Sequence, residues 1–273
     1  MTHSRAFFAA ALAVSLSPLS SARAETPPLA SHRAVYELTL DKASGAKAPA
    51  QAHGRIVFDF AASCEGYVQN FRQITELQPA EGSAKLSDMR STTFEALDAT
   101  DYRFKVETKV DNTPAEEVDG KAQKNKETGV NVDLARPKRG HVDLAGPALF
   151  PTEHLRRIVE SARKGESLLE ARVYDGTGEG DKVFDTLTVI GKALETPAAE
   201  KAAQADALKG LKRWRVAVSY FEPGKRDGQP IYILSFDLYE NGVSRALKLD
   251  YGDFALKGEM TELTVQPAAA CRK

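Results

Sequence analysis

Apolar residues recur at every second position along most of this chain, and that period of two constrains the fold more than any other feature. Arg33-Ala-Val-Tyr-Glu-Leu-Thr-Leu40 alternates in this way, and so do residues 54–60, 67–77 and 102–110. Similar runs follow at 129–134, 168–174, 184–190, 213–221, 231–239, 244–251 and 254–265. Successive side chains of a strand point to opposite faces, so these runs, rich in β-branched and aromatic residues, are half-buried strands. Turn dipeptides separate them: Asp119-Gly120, Asp227-Gly228, Asn241-Gly242 and Gly252-Asp253. Asn241-Gly242, between two alternating runs, is the strongest hairpin signal. Many short antiparallel strands at this spacing predict an all-β sandwich, barrel or rolled sheet.

One segment breaks the period. In residues 150–165, Leu155, Ile158, Val159 and Ala162 fall at helical spacing and form one apolar stripe. Thr152 can cap its start, Glu153 suits the positive end of the helix dipole, Arg163 and Lys164 suit the other end, and Gly165 can terminate it. A lone amphipathic helix in an all-β chain most simply covers an opening in the sheet or packs on its inner face. Residues 43–52, rich in Ala, Gly and Lys, read as a loop. Residues 196–210 hold few large apolar side chains and read as a mobile loop or a marginal surface helix. Neither resembles a domain linker, since alternating strands run on both sides, so one domain over 25–273 is expected.

The first residues carry an export signal. A weakly basic start is followed by the short apolar run Ala6-Phe-Phe-Ala-Ala-Ala-Leu-Ala-Val-Ser-Leu16 and the small-x-small site Ala22-Arg23-Ala24. Cleavage before Glu25 makes 1–24 a signal peptide. The run is too short for a membrane span of roughly 20 residues, and no later stretch is apolar enough for one. Losing Arg5 and Arg23 leaves 35 basic against 38 acidic residues, a net charge of −3. So balanced a surface does not favour nucleic acid or anionic lipid as a partner. The 42% hydrophobic content supplies a core and excludes wholesale disorder.

Only two cysteines are present, Cys64 and Cys271. In an exported chain this minimal even count reads as one structural disulfide, with a catalytic thiol or a metal pair as alternatives. A nucleophile pair would join Cys64 to His32, His53, His141 or His154, none of which lies in a catalytic signature. His141 and His154, with Asp143 and Glu153 nearby, match no metal-ligand spacing and read as surface or hydrogen-bonded histidines. From Asp175, the run Asp-Gly-Thr-Gly-Glu-Gly180 imitates part of a calcium loop, but Thr186 stands where a bidentate Glu is required. A Gly-rich turn whose carboxylates take backbone N–H bonds fits better. No phosphate loop and no nucleophile elbow occurs. No catalytic residue, cofactor or metal ligand is assigned.

Four motifs together resemble the EipB family of periplasmic cell-envelope integrity proteins. They are Phe150-Pro-Thr-Glu-His154 at the helix start, Tyr174-Asp-Gly176 through Gly180-Asp-Lys-Val183, Ser235-Phe-Asp-Leu-Tyr-Glu-Asn-Gly-Val-Ser-Arg245, and Leu249-Asp-Tyr-Gly-Asp-Phe254 followed by a Cys near the C-terminus. The resemblance covers roughly residues 29–271, and 239–254 is its most specific part. It implies an open, spiral-like antiparallel sheet with one helix rather than a closed barrel. It also implies a disulfide between the positions of Cys64 and Cys271, and a role in envelope stability under stress without assigned catalysis. A periplasmic tetratricopeptide-repeat protein is the implied partner. Residues 196–210 depart from the family and look like an insertion. The resulting expectation is a monomeric periplasmic protein, not an enzyme, that acts through protein binding. The alternative is a carrier that binds lipid or a lipoprotein acyl chain in an apolar cleft. Whether the space beneath the helix is filled or empty separates the two.

Overall fold

The computed structural model describes residues 29–45, 48–125 and 129–267. Cys271 and the cleavage site before Glu25 both lie outside the described residues. Fourteen described strands form one sheet. The first eight are β1 (His32–Ala43), β2 (Gln51–Ala62), β3 (Gly66–Gln78), β4 (Lys85–Ala96), β5 (Asp101–Val110), β6 (Thr113–Asn125), β7 (Gly129–Arg136) and β8 (Gly140–Ala145). After helix α1 (Pro151–Lys164) come β9 (Leu168–Val173), β10 (Phe184–Ala193), β11 (Arg213–Phe221), β12 (Tyr232–Tyr239), β13 (Ser244–Asp250) and β14 (Phe254–Val265).

Sequence neighbours pair antiparallel on each side of α1, and β14 returns to pair with β1. The sheet therefore runs from β8 through β1 and β14 to β9, with β8 and β9 as its edges. It does not close as a barrel. The edges approach through a single parallel bridge between Leu149, just after β8, and Val173 at the end of β9. Beyond it, the chain after β9 lies on the inner face of β5–β7. Tyr174 packs edge-on against Phe104 with ring centroids 5.7 Å apart, and Phe150 stacks on Tyr102 at 5.1 Å. At Gly176 (φ 75°) a Cβ would sit 2.4 Å from Phe104 Cδ2, so only glycine allows this overlap. The result is a spiral, with one edge tucked beneath the other half of the sheet.

Alternation sorts side chains onto the two faces as the sequence predicts. Cross-strand partners Tyr36, Ile56, Gln73 and Met89 share the inner face, while Arg55 and Arg72 lie outside. The Asn241-Gly242 hairpin joins β12 to β13, with Tyr239 N–H bonded to Val243 O at 2.9 Å. Two expectations change. Asp119-Gly120 is not a turn but lies inside β6, where Gly120 faces Phe104 and Leu134 and a Cβ would meet Phe104 Cζ at 2.7 Å. Residues 196–210 are neither a mobile loop nor a surface helix. They form two short 3-10 turns (Lys201–Gln204 and Asp206–Leu208) that bury Ala198, Ala203 and Leu208. They pack as a strap, pinned by an ion pair between buried Glu200 and Arg245 of β13.

Candidate functional site

Helix α1 crosses one end of the sheet, and side chains from both halves hold it there. Phe150 is the capping position, its backbone N–H donating to Glu153 Oε2 at 3.4 Å, and Thr152 lies inside the first turn, which corrects the expected Thr152 cap. Glu95 of β4 does the work instead. Its buried carboxylate accepts the backbone N–H groups of Thr152 and Glu153, each at 2.7 Å. Two otherwise orphaned helix donors are thereby satisfied by a charge at the positive end of the dipole. Gln69 of β3 donates to Thr152 Oγ1 at 2.8 Å, and Lys124 of β6 pairs with Glu153. At the far end Arg163 reaches Glu240, in the turn after β12, at 3.2 Å. The apolar stripe packs Ile158, Val159 and Ala162 against Trp214, Val216 and Leu238. Burial of Ile158 and Val159 contributes roughly 1.5–3 kcal/mol each.

Beneath α1 the inner face is not filled. A cavity of about 570 Å³ lies between the two halves of the sheet. The first half lines it with Tyr36, Ile56, Phe58, Phe71 and Met89, and the second with Val218, Leu234, Phe236, Leu247 and Leu249. Pro151, His154, Leu155 and Ile158 of α1 form its roof. Polar lining comes from Gln69, Gln73, His154, Ser244 and tyrosine hydroxyls, and no Asp, Glu, Lys or Arg lines it. Burial grades along the strands. On β12, Tyr232 and Leu234 are half-buried while Phe236 and Leu238, nearer α1, are buried. On β11 the same order runs from Tyr220 to Val218 and Val216. Helix α1 roofs one end of the cavity, and at the other Tyr220, Tyr232 and Tyr251 form a row, with Tyr251 the one exposed residue of the lining. Their ring centroids are 6.0 and 5.2 Å apart, and Tyr251 is 39% exposed.

The electrostatics suit an apolar occupant. Burial lowers the His154 pKa to about 4, so its ring is neutral near pH 7, with Thr188 Oγ1 3.5 Å from Nε2. Burial also holds Tyr36 and Tyr220 above the usual tyrosine range. Size, apolar walls and a few convergent polar groups are the features of a small-ligand site.

Comparison with known proteins supplies the family. The EipB-like family model matches residues 23–267. The cell envelope integrity protein EipB of Brucella abortus (strain 2308) is 36% identical over 239 residues, which are 87% of this chain and 84% of that protein. The chain belongs to the EipB-like family. A solved Brucella abortus structure, described as a beta-barrel-like protein of a domain of unknown function, DUF1849, superposes with a TM-score of 0.83 at 34% identity. That match covers 88% of this chain and 99% of the other.

Within this EipB-like fold the remaining candidates disperse. Cys64 lies exposed in the turn between β2 and β3. His32 is buried on β1 with its ring 2.7 Å from Ala30 O, and His53 is exposed on β2. His141, exposed on β8, bonds Asp133 at 2.8 Å and Asp143 at 3.0 Å, which raise its pKa. Only His154 enters the cavity. Among the described residues no group of three or more His, Cys, Asp or Glu is arranged to hold a metal ion. Asp175 caps its own turn, accepting the Thr177 N–H at 3.0 Å, as a Gly-rich turn requires. A second hollow of about 700 Å³ lies beside the strap, where Arg213 is already bonded to Tyr239 Oη and Thr196 O. No described helix is long and apolar enough to cross a membrane.

Sequence reasoning assigned no role to Glu95 or to the tyrosine row. The one legible signal was the aromatic content of 232–239 and 249–254, which marks strands and cavity walls alike.

Proposed function

We propose that this EipB-like protein is a non-enzymatic factor of the cell envelope that works by sheltering an apolar chain, from a lipid or from a lipoprotein, in the cavity beneath α1. One observation carries the reading: a roofed cavity of about 570 Å³ whose lining holds no charged side chain. Filling it with water would leave most of that water without polar partners, whereas a hydrocarbon chain gains the burial of apolar surface. The relative named for cell envelope integrity supports the setting, and the export signal supports a periplasmic location. The alternative of the sequence analysis, an apolar-cleft carrier, thus becomes the leading activity. A lipoprotein ligand would join it to the protein binding, and to the tetratricopeptide-repeat partner, implied by the family.

The disulfide belongs to the same proposal. Ser31 accepts the N–H of Gln266 on its backbone oxygen at 2.8 Å and that of Ala62 on its hydroxyl at 2.9 Å. The Cys64 turn is therefore about two strand spacings, roughly 10 Å, from Gln266. Five further residues can span up to about 17 Å, enough for Cys271 to reach Cys64.

The test is complementation of a strain lacking the protein. Leu234→Trp fills the cavity from an inner-face position and should fail to restore resistance to envelope-disrupting detergents, while being exported at wild-type levels. Full rescue by that folded, blocked variant would defeat the proposal.

A further inference from the structure

The geometry points to an unbranched acyl chain that enters methyl end first, with its terminal methyl under α1 and its neutral ester or amide linkage at the Tyr220–Tyr232–Tyr251 rim. This rests on the reading above and specifies what the cavity takes and which way it lies.

Three observations carry it. The first is access: α1 roofs one end of the cavity, and the one exposed residue of its lining, Tyr251 at 39%, stands at the other. The roof presents Leu155 and Ile158 of α1, apolar groups suited to a methyl end.

The second is charge. A carboxylate or phosphate drawn inside would find no cation in the lining, and burying an unpaired charge is strongly unfavourable. The rim offers neutral donors instead. Burial holds the Tyr220, Tyr232 and Tyr251 hydroxyls above the usual range, so they stay protonated; Tyr251 already bonds Tyr232 and Gln73, and an ester or amide carbonyl would join that neutral network. Their faces meanwhile pack the first methylenes.

The third is size. At about 30 Å³ per water-sized group, a cavity of about 570 Å³ takes about nineteen such groups, one chain of ordinary membrane length. From Tyr232 to Phe236 the depth is four residues of strand, about 13 Å, so the chain lies bent. The second chain of a diacyl lipid would stay outside.

The chain's single tryptophan reports on the orientation. Trp214 is 4% exposed and packs with Ile158 and Phe236 at the roofed end. Palmitate methyl esters brominated near the methyl end, or beside the carbonyl, are titrated into the intact mature protein while Trp214 fluorescence is read. A palmitoylated peptide and phosphatidylethanolamine vesicles form parallel arms, and retention by native mass spectrometry identifies the source of the chain. The methyl-end bromine is expected to quench Trp214 the more strongly. Tyr251→Asp, at the rim, is expected to weaken ester binding about tenfold. Equal or reversed quenching with probe retained would overturn the orientation and leave the sheltered-chain reading standing. Retention of no acyl probe in any arm would overturn both.

Discussion

The Glu95 carboxylate accepts the Thr152 backbone N–H at 2.7 Å, joining β4 to the first turn of α1 across 57 residues of sequence. The roof of the cavity is thus fastened by the sheet it covers. Glu95→Ala leaves two helix N–H groups without their acceptor, one of them on fully buried Thr152. The expected loss is about 2–3 kcal/mol in urea unfolding, with faster proteolysis near 150–157. Glu95→Gln, whose amide oxygen still accepts, should lose less. Equal stability of Glu95→Ala and wild type would show that α1 is held by its apolar face alone.

That fastening was not legible in the sequence, for a physical reason. The inner face of β4 carries Ser87, Met89, Ser91, Thr93 and Glu95, so the strand shows no apolar alternation. β6 presents small Gly120 and Ala122 beneath Phe104 and Tyr102, and β8 is a six-residue edge. These three strands escaped the period-two reading because pairing from neighbours, rather than their own burial, makes them strands. The other eleven, the helix and the hairpin at Asn241-Gly242 were legible because each buries one regular face. The cavity has no signature of its own: an inner-face residue that packs and one that lines a void alternate identically.

The strap at 196–210 gives a second test. Asp237, 1% exposed, lies between Arg213, Arg215 and Arg245, and Glu200 supplies the second carboxylate of this cluster. Removing Glu200 leaves Arg245, Arg213 and Arg215 to share Asp237 alone, so Glu200→Ala should cost about 3 kcal/mol. Limited proteolysis should then cut within 196–210. A variant as stable and as protease-resistant as wild type would mean that the buried alanines and Leu208 suffice to hold the strap.

His154 sets a pH dependence. Its native pKa of about 4 lies below the unfolded value of 6.5. Between those values the unfolded chain binds the proton and the native one does not, so stability contributed above pH 6.5 is lost as the pH falls toward 4. The full effect is about 3 kcal/mol. Glu95, whose pKa burial raises, acts with the opposite sign, so the measurement must be a difference. Wild type minus His154→Leu, followed by urea unfolding from pH 7 to 4, should fall with pH. A flat difference would place His154 in a solvated site.

The disulfide proposal makes an equality its test. Closing a loop of about 200 residues stabilises by up to about 5 kcal/mol in the chain-entropy model. Cys64→Ser and Cys271→Ser should lower the unfolding midpoint equally, reductant should reproduce the loss in wild type, and the double variant should add nothing. Unequal losses would indicate separate roles for the two thiols.

The account stands on a cavity that shelters a hydrocarbon chain. Its most direct test is native mass spectrometry of the mature protein, purified from envelope extract without detergent, before and after denaturation. The account predicts a bound mass that denaturation releases, identified as an acyl-bearing molecule, and absent from Leu234→Trp prepared in the same way. A wild-type protein that carries no adduct, and acquires none when incubated with acyl esters or lipopeptide, would contradict it.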